Sequence, residues 1–440
     1  MIAERLFSDL QALFSTEQVQ ETAVAHPLGN GGEVTVYPTS EAEIAAVLTY
    51  ANQNGYTVSI MGAGTKRGFG GLVQSADILL SLSRYKGIVE HVPGDMTVTV
   101  KAGTSFKELQ DHLATYGQQL SLDPSWPETA TIGGIVAAND SGPKRLGYGS
   151  CRDVVIGMTL VYADGQIIRS GGKVVKNVAG YDMNKLFIGS MGTLAVMSEI
   201  TLKLRPLPKC QSLVVIAFPE ASLIDIRSLA TQILDSMLEP VSLQLMSPSL
   251  SRELVGEEAY CLAIALEDVE SSVRYQEKAI QGLGSSQAVV SIKSEEERIH
   301  FWHQLYRMGV NGASFIDGDS LTAVLKVGVK NLDALKVVES AYLLTNRYDV
   351  RIRAHGGIGH GLCQIEISGG SKDILGAIVD MRKQAHELKG YVVVTHAPLV
   401  FRQQLNVWGE KPSHFFLYEG IKSRIDPNKM LNHKRFVGGI

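Results

Sequence analysis

Cysteine is scarce in this chain and is never closely spaced. The 440 residues include four cysteines, Cys151, Cys210, Cys261 and Cys363, and no two of them are separated by only two residues. Iron–sulfur clusters and zinc ribbons need closely spaced thiolates. The sequence therefore predicts four ordinary buried thiols and no metal centre built on cysteine.

Long apolar runs and a surplus of one charge are also missing. No stretch reaches the roughly 18 apolar residues that a membrane-spanning helix needs, and Glu4, Arg5 and Asp9 interrupt the amphipathic N-terminal segment. That segment is not typical of a signal peptide. The 41 basic and 45 acidic side chains give a formal net charge of −4, which argues against nucleic-acid binding. We expect a cytoplasmic protein without a transmembrane segment.

Glycine, in contrast, is abundant and is concentrated in three segments. They read MGAGTKRG at 61–68, TIGGIVAANDSG at 131–142 and GGKVVKNVAGYDMNKLFIGSMGTL at 171–194. Glycine lets main-chain N–H groups approach a phosphate without an intervening Cβ. A dinucleotide-binding Rossmann site is excluded, because no helix-period segment follows Gly62-Ala63-Gly64 directly. The three segments therefore predict three loops whose backbone wraps one large phosphate-bearing ligand.

Strand and helix signals alternate along the chain. In the first half we predict strands over 34–37, 57–61 and 96–100, helices over 41–54 and 104–116, a hairpin of 153–162 with 166–170 about Asp164-Gly165, and a strand within 192–204. In the second half we predict strands over 212–218, 261–266, 322–329, 363–368 and 391–396, with helices over 221–238, 268–282, 331–345 and 372–389. These repeated units predict an α+β region with antiparallel strands and a single layer of helices.

The segments KNVAGYD (176–182) and GSMGTL (189–194) carry a specific resemblance. The chain resembles the FAD-linked oxidases related to vanillyl-alcohol oxidase, and most closely the FAD-binding subunits of bacterial glycolate oxidase (glycolate dehydrogenase). The resemblance implies an α+β fold with a p-cresol methylhydroxylase-type (PCMH-type) FAD-binding domain of two α+β subdomains, plus an α+β cap domain with an antiparallel sheet. The implied divisions are an N-terminal helical segment (1–29), the FAD-binding domain (30–208), a substrate or cap domain (209–400) and a C-terminal segment returning to the FAD domain (401–440).

The resemblance also assigns residues to the cofactor. The backbone of the first loop would wrap the diphosphate, and Lys66 would add a cation there, unless it is an ordinary solvated lysine. Many relatives attach the flavin covalently through a histidine of this loop, but the loop contains no histidine or cysteine, so we expect noncovalent FAD. The implied FAD contacts are Pro38, Gly62, Ala63, Gly64, Thr65, Lys66, Arg67, Asp123, Pro124, Thr129, Thr131, Gly133, Gly134, Asn139, Ser141, Gly142, Arg145, Tyr148, Thr193, Glu199, Ile200 and Asn432.

The catalytic half of the family pattern is only partly present. Members that oxidise 2-hydroxy acids often carry a metal motif close to His-x-Gly-Asp-Gly-Asn-x-His and a later Glu-His-Gly. Here the segment from His355 to His360 has Ile358 where an acid is expected, and no Glu-His-Gly follows. Two histidines alone seldom hold a metal, so we predict none. The tail matches the family ending at Asp426, Pro427, Asn432 and Arg435, but His433 and Lys434 replace proline and glycine.

Histidine and arginine are the expected groups for oxidising a hydroxy acid, as proton acceptor and carboxylate clamp respectively. The candidates, which lie near predicted strand ends, are His355, His360, His396, Arg351 and Arg353. Alternatively, His355 and His360 only flank a glycine turn beside the flavin. Lys176 is a further candidate at the isoalloxazine edge, unless it pairs with Asp182.

Three functions stay open from the sequence. In the first, the chain is an FAD-dependent component oxidising glycolate or a related 2-hydroxy acid to the 2-oxo acid. The resemblance then implies a second FAD subunit and an iron–sulfur subunit as partners, through which the chain would sit peripherally at the inner membrane. In the second, it is an FAD-bearing relay or assembly subunit without turnover. In the third, it is a stand-alone FAD-linked 2-hydroxy-acid dehydrogenase.

Overall fold

A computed structural model describes residues 2–22, 24–173, 181–220, 222–283, 288–315 and 321–440, with side chains from Glu4 onward. The chain contains both helices and sheets, and the largest sheet is antiparallel. The expected α+β fold class is therefore confirmed.

The first sheet has four strands and two helices beside it. Its order is β1-β2-β4-β3, with β2, β4 and β3 parallel and β1 antiparallel to β2. The second helix begins as predicted, because Ser40 Oγ accepts a hydrogen bond from the Glu43 N–H at 3.2 Å. The elements are α1 (Ile2–Leu13), β1 (Val19–Glu21), β2 (Gly31–Val36), α2 (Glu41–Asn54), β3 (Val58–Met61) and β4 (Ser75–Ser81).

The second sheet has five antiparallel strands in the order β5-β6-β10-β8-β9. The predicted hairpin about Asp164-Gly165 is confirmed as β8–β9, and Gly165 takes the left-handed turn conformation with φ +86°. Its strands are β5 (Ile88–Val92), β6 (Thr97–Lys101), β8 (Val155–Val161), β9 (Ile167–Gly171) and β10 (Val196–Lys203). A two-stranded pair beside it consists of β7 (Gln118–Gln119) and β11 (Arg205–Pro206).

Five short helices accompany the second sheet. They are α3 (Phe106–Ala114), α4 (Ile132–Ala138), α5 (Arg145–Tyr148), α6 (Cys151–Val154) and α7 (Asn184–Phe187). The glycine-rich segment 131–142 was expected to be a loop, but its first half is helix α4. Thr131 caps this helix by accepting from the Gly134 N–H, which outweighs the low helix propensity of two glycines.

One hydrophobic cluster joins both of these sheets. It runs from Leu6 to Leu204 and takes in Met430 and Leu431 from near the end of the chain. Leu431 forms a parallel bridge with Val58 of β3. The last helices before this return are α14 (Leu399–Gln404) and α15 (Phe415–Ile425). The C-terminal segment therefore packs against the first sheet.

The third sheet has eight antiparallel strands in the order β15-β12-β14-β13-β17-β18-β16-β19. Three of them, β13, β15 and β17, are absent from the sequence-based prediction. The strands are β12 (Cys210–Phe218), β13 (Ser242–Met246), β14 (Tyr260–Asp268), β15 (Val289–Ile292), β16 (Thr322–Gly328), β17 (Val350–Gly357), β18 (Leu362–Gly369) and β19 (Tyr391–His396).

The expectation of a single helical layer on this sheet is wrong. One face carries α8 (Leu223–Leu234), α10 (Glu270–Leu283), α12 (Ala334–Leu343) and α13 (Ser371–Glu387), whereas α9 (Pro248–Val255) and α11 (Glu295–Tyr306) cover part of the other. Both faces of β12 and β14 are apolar, so each face needs a cover. The rest of that second face, formed by β16, β17, β18 and β19, is not covered by α9 and α11. It faces the glycine-rich segments.

Among the described residues, no helix is long and apolar enough to cross a membrane.

Candidate active site

Two adjoining cavities lie where the three glycine-rich segments meet. The first has about 810 Å³ of empty space, its open mouth included, and lies between β3, α4 and the Met191-Gly192 turn. The predicted cofactor residues that line it are Gly62, Ala63, Gly64, Thr65, Lys66, Arg67, Thr131, Gly133, Gly134 and Asn432. The structure thus brings together residues from both ends of the chain at one cavity.

Glycine is required where the first loop meets α4. A Cβ added at Gly62 would come within 2.1 Å of Thr131 Oγ1, the oxygen that caps α4. A Cβ at Gly133 would come within 2.7 Å of the Ala102 side chain. Gly64 has φ +79°, a left-handed conformation that side chains rarely adopt. These contacts leave bare backbone facing the cavity.

The cations beside the first loop differ from the sequence-based expectation. Lys66 is not a free cation, because its Nζ lies 2.8 Å from Asp140 Oδ2 in a half-buried ion pair. Neither Arg67 nor Arg435 has a carboxylate partner among the described residues, and Arg67 Nε is buried without any partner. Burial, and then the charge of Arg67, lower the pKa of Arg435 to about 10. The two arginines therefore make the cavity wall positive.

Asn432 fixes the C-terminal segment at the same cavity. Its Oδ1 accepts from the Ile60 N–H at 2.8 Å, and its Nδ2 donates to the Met191 carbonyl at 2.7 Å. Asn432 itself has φ +41°, which asparagine tolerates better than most residues. One side chain thus ties β3 to the turn that carries Gly192.

The second cavity is larger and shares Thr65, Lys66 and Ala138 with the first. It has about 1530 Å³ of empty space, its mouth included, between segment 138–143 and the uncovered face of the eight-stranded sheet. Alternation along the strands puts Lys326, His355 and Gln364 on that face. The predicted site residues that line it are Thr65, Lys66, Asn139, Ser141, Gly142, His355 and His360.

Lys326 is the free cation among the described lining residues of the second cavity. It has no ion pair or hydrogen bond to a described residue, whereas Lys66, also at this cavity, is paired with Asp140. Burial lowers the pKa of Lys326, whereas the negative charge of Asp140 raises it. A lysine inside the apolar run TAVLKVGV was the one available sequence signal for it.

Three histidines line the second cavity: His355 and His396 are buried, and His360 is half-buried. Burial lowers the pKa of His355 and His360 to about 4 and that of His396 to about 3. All three imidazoles are therefore neutral near pH 7. The Nε2 atoms of His360 and His396 are buried and have no partner in the described structure.

Arg353 does not reach either cavity. Its guanidinium donates to Glu366 through Nε at 2.8 Å and Nη2 at 2.7 Å, and to Glu253 through Nη1 at 2.7 Å. Arg351 also contacts Glu253, at 3.1 Å. Both arginines form ion pairs with Glu253 of α9, and Arg353 also pairs with Glu366 of β18. Neither arginine is therefore free to bind a substrate carboxylate. Lys176 lies outside the described residues.

Several predicted cofactor residues support the cavities from behind. The buried Asp123 carboxylate accepts from the Gly142 and Lys144 N–H groups, at 2.9 and 2.5 Å. The Tyr148 hydroxyl donates to Glu267 at 2.7 Å. This hydrogen bond joins helix α5 to strand β14 of the eight-stranded sheet. The predicted residues that line neither cavity are Pro38, Asp123, Pro124, Thr129, Arg145, Tyr148, Thr193, Glu199 and Ile200.

Some lining residues were not predicted at all. Asn30, Gln244, Lys326 and Gln364 come from four separate segments, and none belongs to the three glycine-rich segments 61–68, 131–142 and 171–194. Only the fold brings them to the cavities, and apart from the lysine in its apolar run no local pattern identifies them.

The residues present fit an FAD. Bare glycine backbone and two unpaired arginines at the first cavity suit the doubly charged diphosphate. The adjoining second cavity leaves room for the ring system beside ionisable side chains. Among the described residues, no group of three or more histidine, cysteine or acidic side chains could hold a metal.

Comparison with known proteins agrees with this geometry. Residues 32–171 match the family described as FAD binding domain. The glycolate oxidase subunit GlcD of Bacillus subtilis is 26% identical over 421 residues, covering 91% of this chain and 88% of that protein. The subunit GlcE of Escherichia coli is 34% identical over 227 residues, covering 51% and 57%.

A D-lactate dehydrogenase of Archaeoglobus fulgidus is 34% identical over 214 residues. That alignment covers 48% of this chain and about half, 47%, of the relative's length.

The fold is shared with solved flavoenzymes. A p-cresol methylhydroxylase structure matches 98% of this chain and 96% of its own with a TM-score of 0.77, at 14% identity. The 4-ethylphenol oxidase of Gulosibacter chungangensis gives a TM-score of 0.78 over the same shares, at 15% identity. The chain thus contains an FAD-binding domain within residues 32–171 and has the fold of p-cresol methylhydroxylase and 4-ethylphenol oxidase.

Proposed function

We propose that this chain is an FAD-bearing component that oxidises a small 2-hydroxy acid, such as glycolate, to the 2-oxo acid. The relatives named glycolate oxidase subunit and D-lactate dehydrogenase support this substrate class. FAD held by the glycine-rich loops would supply a hydride acceptor. The chain's own residues must then bind the carboxylate, orient the carbon, and take the hydroxyl proton.

The observation that carries the proposal is that Lys326 lies in the second cavity and has no partner among the described residues. A 2-hydroxy acid brings one carboxylate, and a half-buried lysine without a partner is a suitable cation for it. Binding would offset the cost of keeping Lys326 unpaired. The neutral imidazoles of His355, His360 and His396 line the same cavity and are available for the hydroxyl proton.

The test compares binding in Lys326→Met with binding in Lys278→Met, a change at an exposed lysine on α10. Glycolate and the non-reacting oxalate are titrated into flavin-loaded protein and followed by the flavin absorbance spectrum. We expect Lys326→Met to weaken both ligands by about 10- to 100-fold, the worth of one charge-assisted contact, while Lys278→Met binds normally. Equal oxalate affinity in both variants would contradict this site.

A multi-subunit setting is part of the proposal. GlcD and GlcE are each named as subunits of glycolate oxidase. The four cysteines here are free, and three of them are buried, so electrons must leave for another chain or acceptor. We propose a second FAD subunit and an iron–sulfur subunit as partners, with peripheral placement at the inner membrane through them. Copurification of the full chain with such subunits tests this.

The division into segments 1–29, 30–208, 209–400 and 401–440 also stays a prediction. Separate hydrophobic clusters in the first two sheets and in the eight-stranded sheet support the boundary at 208.

Noncovalent attachment of FAD is a further part of the proposal. No histidine or cysteine of the described structure lines the first cavity. Acid precipitation should therefore release the whole flavin into the supernatant. Yellow colour retained in the washed pellet would show a covalent link, and His396 of the second cavity would then be the first residue to examine.

A relay or assembly subunit is the second candidate. It is favoured by Arg353, which is fully committed to Glu366 and Glu253 and so cannot clamp a substrate. In that case the flavin would accept electrons only inside the assembled complex. Flavin reduction by glycolate in the isolated chain would exclude this alternative and would fit a stand-alone dehydrogenase as well as a component.

A further inference from the structure

Gln244 connects the two sides of the second cavity. Its side-chain Nε2 donates to the Pro143 carbonyl at 2.9 Å, and its Oε1 lies 3.0 Å from His355 Nδ1. The residue is 1% exposed. Pro143 directly follows the glycine-rich segment 131–142, whereas His355 lies on β17 of the eight-stranded sheet.

The Pro143 contact settles which way the amide of Gln244 points. A carbonyl oxygen can only accept, so the NH₂ group must face Pro143 and the amide oxygen must face His355. An amide oxygen in turn only accepts. His355 Nδ1 must therefore carry the proton, which leaves a lone pair on His355 Nε2 in the neutral ring.

His360 has the opposite arrangement. The Leu362 N–H donates to His360 Nδ1 at 3.2 Å, so this nitrogen holds the lone pair. In the neutral ring the proton then sits on Nε2, which is buried and has no partner among the described residues. A Cβ at Gly357 would come within 2.1 Å of that nitrogen, so glycine at this position leaves room for the His360 ring.

Both rings are neutral in this environment. Burial and the neighbouring His360 lower the pKa of His355 to about 4. Burial, then Arg145 and Lys326, lower the pKa of His360 to about 4. Each imidazole therefore offers one donor and one acceptor rather than two donors.

We propose that Gln244 is a positioning residue that fixes the tautomer of His355, so that the lone pair of His355 Nε2 accepts the hydroxyl proton of a 2-hydroxy acid bound beside Lys326 in the second cavity. This rests on the proposed function. The C–H bond of the substrate breaks and its hydride passes to the bound flavin. The O–H bond breaks, its proton goes to His355 Nε2, and the freed electron pair forms the C=O bond of the 2-oxo acid.

The first test reads the tautomers directly, without turnover. Full-length, flavin-loaded protein with ¹⁵N-labelled histidine is examined by NMR, and His355→Gln and His360→Gln identify the two signals. We expect a proton on Nδ1 of His355 and on Nε2 of His360. A proton on Nε2 of His355 would overturn the proposal. Because this readout needs no substrate, it can fail or succeed independently of the proposed function.

The second test uses Gln244→Met, with Gln276→Met as the matched control. Gln276 is also a buried glutamine whose amide both accepts and donates, but it lies on α10, away from the cavity. Gln244→Met should lose the fixed His355 tautomer and slow flavin reduction by roughly 10- to 100-fold. Oxalate affinity should change little, because Lys326, the proposed cation for the carboxylate, is retained. Gln276→Met should reduce its flavin at the normal rate.

A conservative change keeps the proposal falsifiable if Gln244→Met folds poorly. Gln244→Glu retains an oxygen that accepts from His355 Nδ1, and its protonated carboxyl also donates an O–H to the Pro143 carbonyl, so the tautomer and most of the reduction rate should be recovered while this carboxyl is protonated. Wild-type tautomers and a wild-type reduction rate in a folded Gln244→Met protein would overturn the role of Gln244. If wild-type flavin is reduced by no 2-hydroxy acid, the proposed function fails while the tautomer assignment is still judged by NMR.

Discussion

At the scale of single residues, the cation beside the diphosphate loop is the clearest difference between sequence and structure. The family resemblance points to Lys66, yet Lys66 is neutralised by Asp140 at 2.8 Å. Arg67, one position later, is half-buried, has no carboxylate partner in the described structure and leaves its Nε unsatisfied. Asp140 belongs to a different glycine-rich segment, so this exchange of roles follows from the fold and not from the loop sequence.

Arg67 should therefore matter more for FAD affinity than Lys66. Replacing Arg67 by Met removes a charge-assisted contact to phosphate worth about 1.5–3 kcal/mol, which corresponds to roughly 10- to 100-fold in the dissociation constant of FAD. Lys66→Met should cost less, since it removes a cation already paired. Fluorescence titration of FAD into both apoproteins measures this. Greater loss in Lys66→Met would restore the original assignment.

The histidine pair shows what a motif can and cannot predict. The spacing of His355 and His360 suggested a role beside the flavin, and both line the second cavity. The strand that carries His355 was not predicted, because VRIRAHGG mixes charged residues with glycine and carries little apolar signal. Gln244, which contacts His355, has no motif at all. Local patterns identified the histidines, but their partners depend on strand pairing.

At the scale of elements, the end of α15 locks the C-terminal segment to the cofactor cavity. Lys422 Nζ donates to Asp426 at 2.6 Å and to the Thr193 carbonyl at 2.7 Å. Asp426 also accepts from the N–H groups of Met430 and Leu431. Asn432, which lines the first cavity, follows directly. The match of Asp426 and Asn432 to the family ending is thus explained by one buried turn.

Removing the Lys422–Asp426 ion pair should lower both the free energy of unfolding and the affinity for FAD. Asp426→Ala leaves Lys422 buried without its partner, which costs about 3–5 kcal/mol. The matched control is Asp111→Ala, since Lys107 and Asp111 form an i,i+4 pair of similar length, 2.7 Å, that is exposed. It should cost at most about 1 kcal/mol. Urea unfolding and flavin content are measured on both, and equal losses of stability would contradict the account.

Element prediction succeeded where the signal is local. The α2 cap at Ser40 and the turn at Asp164-Gly165 depend on neighbouring residues only, and both are observed. It failed at α4, where two glycines suggested a loop, and at α9 and α11 on the second face of the large sheet. In these cases tertiary packing and a side-chain cap decide the structure, and neither is visible in a short window of sequence.

At the scale of the whole molecule, neutral buried histidines make stability depend on pH. A histidine with a lowered folded pKa contributes stability that is present above its unfolded pKa of about 6.5 and is lost as the pH falls toward the folded value. For His396, with a folded pKa of about 3, this amounts to about 2 kcal/mol between pH 7 and pH 5.

Urea unfolding at pH 7 and pH 5 tests this on three proteins. The free energy of unfolding of the wild type should fall on acidification, and His396→Gln should show a fall smaller by about 2 kcal/mol. His300→Gln, at an exposed histidine on α11, should behave as the wild type. An unchanged pH dependence in His396→Gln would contradict a neutral buried imidazole.

Asp123 changes the free energy of unfolding with pH in the opposite direction to the histidines. Burial raises its pKa to about 7, against the hydrogen bonds from Lys144 and Gly142. Its contribution to stability is full below about pH 4 and is lost as the pH rises through 7. Asp123→Asn should therefore steepen the loss of stability on acidification, and the same unfolding measurement shows it.

The central claim is that a 2-hydroxy acid bound in the second cavity reduces the FAD whose diphosphate is held at the first cavity. Anaerobic mixing of the flavin-loaded chain with glycolate, and separately with D- and L-lactate, tests this most directly, followed as loss of the long-wavelength flavin absorbance. The account predicts rapid bleaching by at least one of these acids, and a higher concentration needed for half-maximal bleaching in Lys326→Met than in Lys278→Met. An oxidised flavin that none of them bleaches, in the isolated chain and in the assembled complex alike, would contradict it.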